Sequence, residues 1–221
     1  MKYRFSNELS IPAGGKILKG DLIIPQQAHA IVIFSHGSGS SRLSVRNRKV
    51  AEYLHEKNFG TLLFDLLTEE EDQIYSNRFN IDLLASRLSE VTQWLQKLPE
   101  AENCRIGYFG ASTGAASALQ AAAQLAEINA VVSRGGRPDL AMNYLAQVKA
   151  PTLLIVGGRD TEVIMLNKQA FERLNCPKEL VIVEGATHLF EEAGKMDQVA
   201  QLAAQWFEKY LQTINSDKKY V

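Results

Sequence analysis

Hydrophobic and polar positions follow two different periods along the chain. Continuous apolar runs such as "AIVIFS", "RIGYFG" and "PTLLIVGG" are typical of strands that are buried on both faces. The segments between them repeat apolar residues every three or four positions, as in Leu84, Leu88, Val91 and Leu95, and this spacing predicts helices. Alternating strands and helices predict an α/β fold, with a mostly parallel sheet covered by helices on both faces.

The first 25 residues depart from this alternation. "KYRFSNELSI" and "KILKGDLIIP" are predicted to be two strands joined by a turn at residues 12–15, forming an antiparallel ribbon at one edge of the sheet. Six later strands bring the predicted total to about eight. There is no internal repeat or linker, which predicts one domain over residues 1–221. The short connection at residues 134–150 leaves room for only a minimal cap.

The longest segment without periodicity runs from residue 66 to residue 79. It includes four consecutive acids in "TEEEDQ". A loop of this length is often functional, whereas a run of acids is more often a solvated face. The sequence leaves these two interpretations open.

Composition and charge exclude several classes of partner. Lys and Arg total 24 against 25 Asp and Glu, and a net charge of −1 gives no reason to expect nucleic acid or a membrane surface. There is no apolar run of about 18 residues and no secretory signal pattern. Cys104 and Cys176 lack CxxC spacing, so we expect two reduced thiols in a cytoplasmic protein. We expect neither a metal nor an organic cofactor, since HExxH and Cys/His clusters are missing from the sequence.

Ser112 lies between Gly110 and Gly114 in a G-x-S-x-G motif. The motif follows a predicted strand and opens a predicted helix, the context in which a sharp turn exposes a nucleophilic serine. Such a turn brings backbone segments close together and requires small neighbours. The backbone N–H groups at the helix N-terminus would favour developing negative charge. The alternative is a glycine-rich turn with no chemical role.

Asp160 and His188 follow two later strands. Asp160 comes after "PTLLIVGG" and His188 after "ELVIVEG". An aspartate there can orient an imidazole, or it can cap the helix that begins near Thr161. Among the other histidines, His29 lies in a polar turn and His55 on an exposed-looking helix, so His188 is the predicted general base. Ligand sites lie beyond the carboxyl ends of parallel strands, so we expect Ser112, Asp160 and His188 to meet.

The order Ser, Asp, His along the chain is that of the α/β-hydrolases. The sequence resembles a small α/β-hydrolase of the dienelactone hydrolase-like group, from "SHGSGSS" through "FGASTG" and "GGRDTEV" to "GATHLF". α/β-Hydrolases place an oxyanion donor after the first central strand, and we assign the backbone N–H groups of Ser38 and Thr113 to that hole. His36 is expected to brace the loop. Authentic dienelactone hydrolases have a cysteine where this chain has Ser112, which favours a general carboxylesterase.

The predicted function is hydrolysis of a small carboxylic ester or lactone through an acyl-enzyme. The same residues could serve a thioesterase, a peptidase or an acyltransferase, and a non-catalytic binding protein of this fold is the more distant alternative. Arg134 and Arg137 follow the strand "AVVS" and are tentative anchors for an anionic group on the substrate. The alternative is that they pair with Asp139 or nearby acids at the rim. The oligomeric state is not predicted.

Overall fold

The structure is a computed structural model that describes residues 2–211. Eight strands make up its sheet: β1 Tyr3–Ala13, β2 Lys16–Pro25, β3 Ala30–Ser35, β4 Gly60–Phe64, β5 Arg105–Ala111, β6 Ile128–Arg134, β7 Thr152–Gly157 and β8 Lys178–Val183. Their order across the sheet is β1-β2-β4-β3-β5-β6-β7-β8. β1 and β2 pair antiparallel, as do β2 and β4, and the remaining neighbours are parallel. The predicted eight strands and the antiparallel ribbon at one edge are confirmed.

Helices cover the sheet on both faces. They are α1 Val45–Glu56, α2 Glu69–Asp72, α3 Ile81–Leu95, α4 Thr113–Gln124, α5 Thr161–Arg173 and α6 Lys195–Leu211. Alternate residues of β3 divide the core: Ile31 and Ile33 belong to the cluster that includes α3 and α4, whereas Val32 and Phe34 belong to the cluster with α1 and α6. Only two single-turn 3₁₀ helices, Pro138–Ala141 and Leu145–Gln147, lie between β6 and β7. The cap is therefore minimal, as predicted.

The segment 66–79 is folded rather than an extended acidic loop. Thr68 and Glu71 form a reciprocal capping box at the start of α2. The Glu71 carboxylate also accepts from the buried Arg87 guanidinium at 2.7 Å, and Arg78 donates two hydrogen bonds to the Asp72 carboxylate. Glu69 and Glu70 are exposed, as in a solvated face, whereas Glu71 and Asp72 fix the segment against its neighbours.

The prediction that His55 is exposed is wrong. Its side chain lies against the sheet, with 7% of the residue exposed, and Nε2 is 2.7 Å from Oγ1 of Thr61. Desolvation, followed by the nearby charge of Lys2, lowers the pKa of His55 to about 4. His55 is therefore uncharged in the folded protein above about pH 4.

Stability should respond to pH through this histidine. The unfolded chain takes up a proton on His55 below its ordinary pKa of 6.5, whereas the folded protein does so only near pH 4. We therefore expect Tm to fall as the pH drops from about 6.5 to about 4, and His55→Gln to flatten part of that fall. Thermal melts across this range, with the exposed His29→Gln as control, measure the effect. Identical pH profiles for wild type and His55→Gln would contradict it.

Within residues 2–211, no helix is long and apolar enough to cross a membrane. Cys104 and Cys176 are both free thiols. The same described residues contain no group of three or more His, Cys, Asp or Glu side chains that could hold a metal ion.

Candidate active site

Ser112 occupies a strained turn between β5 and α4. Its φ is +52°, in the left-handed region that side chains other than glycine rarely adopt. Ser112 is the N-cap residue of α4, yet its hydroxyl makes no capping hydrogen bond. The serine is half-buried, so the turn holds a hydroxyl at the carboxyl edge of the sheet without using it for the fold.

The two glycines of the motif are required by close backbone packing. A Cβ on Gly110 would lie 2.5 Å from Cα of Ala115. A Cβ on Gly114 would overlap the carbonyl oxygen of Ser35 and lie 2.5 Å from that of His36. α4 thus starts directly against the end of β3, and a larger residue at either position would displace the turn that carries Ser112.

Asp160 and His188 are joined by a short hydrogen bond. His188 Nδ1 lies 2.6 Å from Oδ2 of Asp160, with side-chain exposures of 37% and 16%. An ionised carboxylate only accepts, so Nδ1–H donates, and in the neutral imidazole Nε2 is then the acceptor. Asp160 is the N-cap residue of α5 but makes no side-chain capping bond. Its carboxylate is thus used to orient the imidazole rather than to cap the helix.

The end of β6 connects this pair to Ser112. The backbone N–H of Ser112 donates to the carbonyl of Arg134 at 3.2 Å, and the Ser112 carbonyl accepts from Arg137 N–H. Gly135 lies between these two arginines and packs against His188, since a Cβ built on it would lie 3.6 Å from His188 Cε1. The structure therefore gathers all three predicted residues at one edge of the sheet.

The loop after β3 approaches Ser112 through Gly37, whose Cβ position lies 3.0 Å from Cβ of Ser112. Thr113 is the first residue of α4, where a backbone N–H has no acceptor within the helix. The Ser38 N–H, the other predicted oxyanion donor, donates instead to Oγ1 of Thr113 at 2.8 Å. Ser38 would have to exchange that partner before it could bind an oxyanion.

His36 braces the loop, as the sequence predicted. Its Nε2 accepts from the backbone N–H of Leu66 at 3.1 Å, so the Nδ1–H can donate to the carbonyl of Gly37 at 3.0 Å. Burial lowers the pKa of His36, which favours the neutral ring that this arrangement needs. Nε2 thereby joins the end of β3 to the segment after β4, while Nδ1 bonds to the next residue of the same loop.

The two arginines predicted to anchor an anion have other partners. Arg137 forms two 2.9 Å hydrogen bonds with the Asp139 carboxylate, the rim pairing that was the alternative. Arg134 is 5% exposed, and its guanidinium contacts Asn47 and the ring of Phe190. The structure therefore offers neither guanidinium as an unpaired group at the surface.

Known proteins share this arrangement of strands and helices. The model of the dienelactone hydrolase family matches residues 18–217. The chain belongs to the dienelactone hydrolase family. A dienelactone hydrolase from Anabaena variabilis is 53% identical, and the match covers 96% of this chain and 100% of that one with a TM-score of 0.92.

Two further proteins are informative about fold and length. The Pyrococcus furiosus esterase PF2001 superimposes with a TM-score of 0.80 at 21% identity, covering 94% of this chain and 92% of that one, which shows the fold. A Mycobacterium tuberculosis protein named "Putative phosphoribosyl transferase" is 54% identical over 205 residues, or 92% of this chain. This dienelactone hydrolase family member spans only about half, 46%, of that relative's length.

A pocket of about 630 Å³ adjoins the loop after β3 in this dienelactone hydrolase family member. The loops after β3 and β4 line it, with His36, Ser40, Arg42, Asp65 and Thr68 among its residues. Ser112, Asp160 and His188 are not among the residues that line this pocket. β4 runs parallel to β3, so its carboxyl end lies at the same edge of the sheet, which brings both loops to the pocket.

Proposed function

We propose that the chain is a serine hydrolase that cleaves a small carboxylic ester, with Ser112 as nucleophile. The observation that carries the proposal is the 2.6 Å Asp160–His188 hydrogen bond at the same edge of the sheet as a serine whose φ is +52°. A hydroxyl that makes no capping bond and an imidazole with a free acceptor nitrogen are the two parts of an activated serine. Membership of a hydrolase family supports the same chemistry.

The reaction runs in two halves. The Ser112 hydroxyl attacks the ester carbonyl while Nε2 of His188 takes its proton, and Asp160 stabilises the imidazolium. The tetrahedral oxyanion collapses, the alcohol leaves with the proton from His188, and the acyl group stays on Ser112. Water then attacks the acyl-enzyme with His188 as base, which releases the acid and restores the serine.

For the oxyanion, we propose the backbone N–H of Thr113 as the first donor. It opens α4, where the helix dipole adds to the hydrogen bond. Ser38 is the proposed second donor, available when its N–H exchanges the Thr113 hydroxyl for the substrate oxygen. The hydrogen bond between the Ser38 N–H and the Thr113 hydroxyl would then form only when no substrate oxygen occupies the oxyanion hole.

Other acyl chemistry uses the same residues. Thioesters and peptides differ from esters in the leaving group, and a lactone is a cyclic ester whose alcohol stays attached to the acyl part; the fold alone does not select among them. The mycobacterial relative is named as a putative phosphoribosyl transferase, but it is about twice as long as the region that matches this chain. The groups gathered around Ser112 are suited to acyl transfer, so we do not extend that name to this chain.

A fluorophosphonate probe tests the proposal directly. Wild type should be labelled, with the adduct on the tryptic peptide that contains Ser112, and Ser112→Ala should not. A panel of p-nitrophenyl acetate, a thioester and a lactone then identifies the preferred leaving group. A wild-type protein that remains unlabelled and hydrolyses none of the panel is the result expected of a non-catalytic binding protein.

A further inference from the structure

Arg134 is a buried cation without a carboxylate partner among the described residues. Only 5% of the residue is exposed, its Nε makes no hydrogen bond, and its one side-chain partner is Oδ1 of Asn47 at 3.5 Å. Burial, followed by the nearby charge of Arg46, lowers the pKa of Arg134 to about 10. An unpaired buried charge costs several kcal/mol of folding free energy, whereas an apolar side chain of similar length avoids that cost.

The guanidinium contacts the turn that carries His188. Its Cζ lies 5.9 Å from the ring centroid of Phe190, within the range of a cation–π interaction. Phe190 is itself 1% exposed, and its backbone N–H donates to the Thr187 carbonyl at 3.2 Å. Residues 187–190 therefore form a closed turn with His188 at its second position and the Phe190 ring as its anchor in the core.

This turn is strained at its anchor. Phe190 has a φ of +57°, which is unfavourable for a bulky aromatic residue and requires support from the surroundings. The Arg134 guanidinium supplies support through its contact with the Phe190 ring. The backbone carbonyl of Arg134 accepts a hydrogen bond from the N–H of Ser112 at 3.2 Å. One residue thus contacts the anchor of the histidine turn through its side chain and the serine turn through its backbone.

We propose that Arg134 is a positioning residue that fixes His188 relative to Ser112 by holding the ring of Phe190 through a cation–π contact. The inference rests on the proposed function, because it assigns Arg134 a part in placing the proposed base. It replaces the expectation that Arg134 binds the substrate, and it gives a reason for a charge that the fold alone does not need. Strain and buried charge that local rules disfavour are often retained at functional sites.

The variant Arg134→Met separates positioning from stability. Methionine keeps the length and removes the charge, so Tm should be unchanged or raised, as is common when a buried ion is replaced by an apolar group. kcat should fall about 10- to 100-fold with KM within about twofold, because a misplacement of about 1 Å costs on that order. Arg134→Lys keeps a cation near the ring and should recover at least half of the lost activity on a logarithmic scale.

Arg46→Met is the matched control. Arg46 forms a surface ion pair, at 3.0 Å, with Glu191, the residue that follows the 187–190 turn. Such surface pairs contribute little to stability. The kcat of Arg46→Met should stay within about threefold of wild type. If Arg134→Met does not fold, Phe190→Leu removes the ring from the other side and should give the same loss of kcat at constant KM.

Three results would overturn the inference. The first is a kcat for Arg134→Met within threefold of wild type. The second is a loss of kcat in Arg134→Met that Arg134→Lys does not show in smaller degree. The third is a rise in KM of Arg134→Met for an anionic ester only, which would make Arg134 a substrate anchor. The NMR signal of the His188 proton shared with Asp160 gives a readout that needs no substrate, and it should broaden or shift in Arg134→Met. Failure of the proposed function itself would appear separately, as wild-type protein that the fluorophosphonate does not label.

Discussion

Replacing Ser112 with alanine should lower kcat by about 10⁴- to 10⁶-fold and leave the fold intact. The hydroxyl makes no capping hydrogen bond to α4, so alanine should remove the proposed nucleophile without removing a bond that holds the helix. Alanine also tolerates the positive φ no worse than serine does. Steady-state kinetics with p-nitrophenyl acetate, together with Tm, measures both effects.

The matched control is Ser76→Ala, an exposed serine on the segment between β4 and α3. It should retain wild-type turnover. His188→Ala should cost as much as Ser112→Ala, and the double variant should cost little more than either, because the two residues act as one unit. If Ser112→Ala keeps more than about a tenth of wild-type kcat, Ser112 is not the nucleophile.

The positions of the site residues were predictable because parallel strands all end at the same edge. The carboxyl ends of β5, β7 and β8 precede Ser112, Asp160 and His188, so a correct strand assignment was enough to bring them together. The glycines around Ser112 also indicated the position of the site. Gly114 is needed because α4 contacts the end of β3 there, and the G-x-S-x-G spacing reflects that contact.

Side-chain partners were less predictable than positions. The pattern of apolar residues in α1 gives only an approximate boundary between its buried and exposed faces. His55 lies near that boundary in sequence but is buried, with its ring against Thr61. Arg134 ends a strand that is buried on both faces, and α1 and the Phe190 turn cover its side chain. Such coverage depends on elements more than 40 residues distant, which local patterns do not encode. The bond between Ser38 N–H and the Thr113 hydroxyl likewise depends on the approach of two separate loops.

Gly114→Ala should damage both stability and activity, unlike Ser112→Ala. The added Cβ would overlap the carbonyl oxygen of Ser35, a backbone atom at the end of the central strand β3 that cannot rotate away. Relieving the overlap requires α4 to move away from β3, and we expect a loss of about 3 kcal/mol or more, at the upper end for overpacking. That corresponds to a fall in Tm of roughly 6–12 °C for a domain of this size.

The same displacement should lower kcat of Gly114→Ala by at least about 100-fold, since α4 carries both the Ser112 turn and the Thr113 N–H. Fluorophosphonate labelling should slow in parallel, because Ser112 is still present but misplaced. Gly15→Ala is the control: Gly15 has a φ of +69° in the turn between β1 and β2, with nothing within 4 Å of its Cβ position. It should cost about 1–2 kcal/mol for the backbone conformation and leave kcat unchanged. Equal effects of the two substitutions on Tm and kcat would mean that backbone conformation, and not the contact between α4 and β3, explains the glycine at position 114.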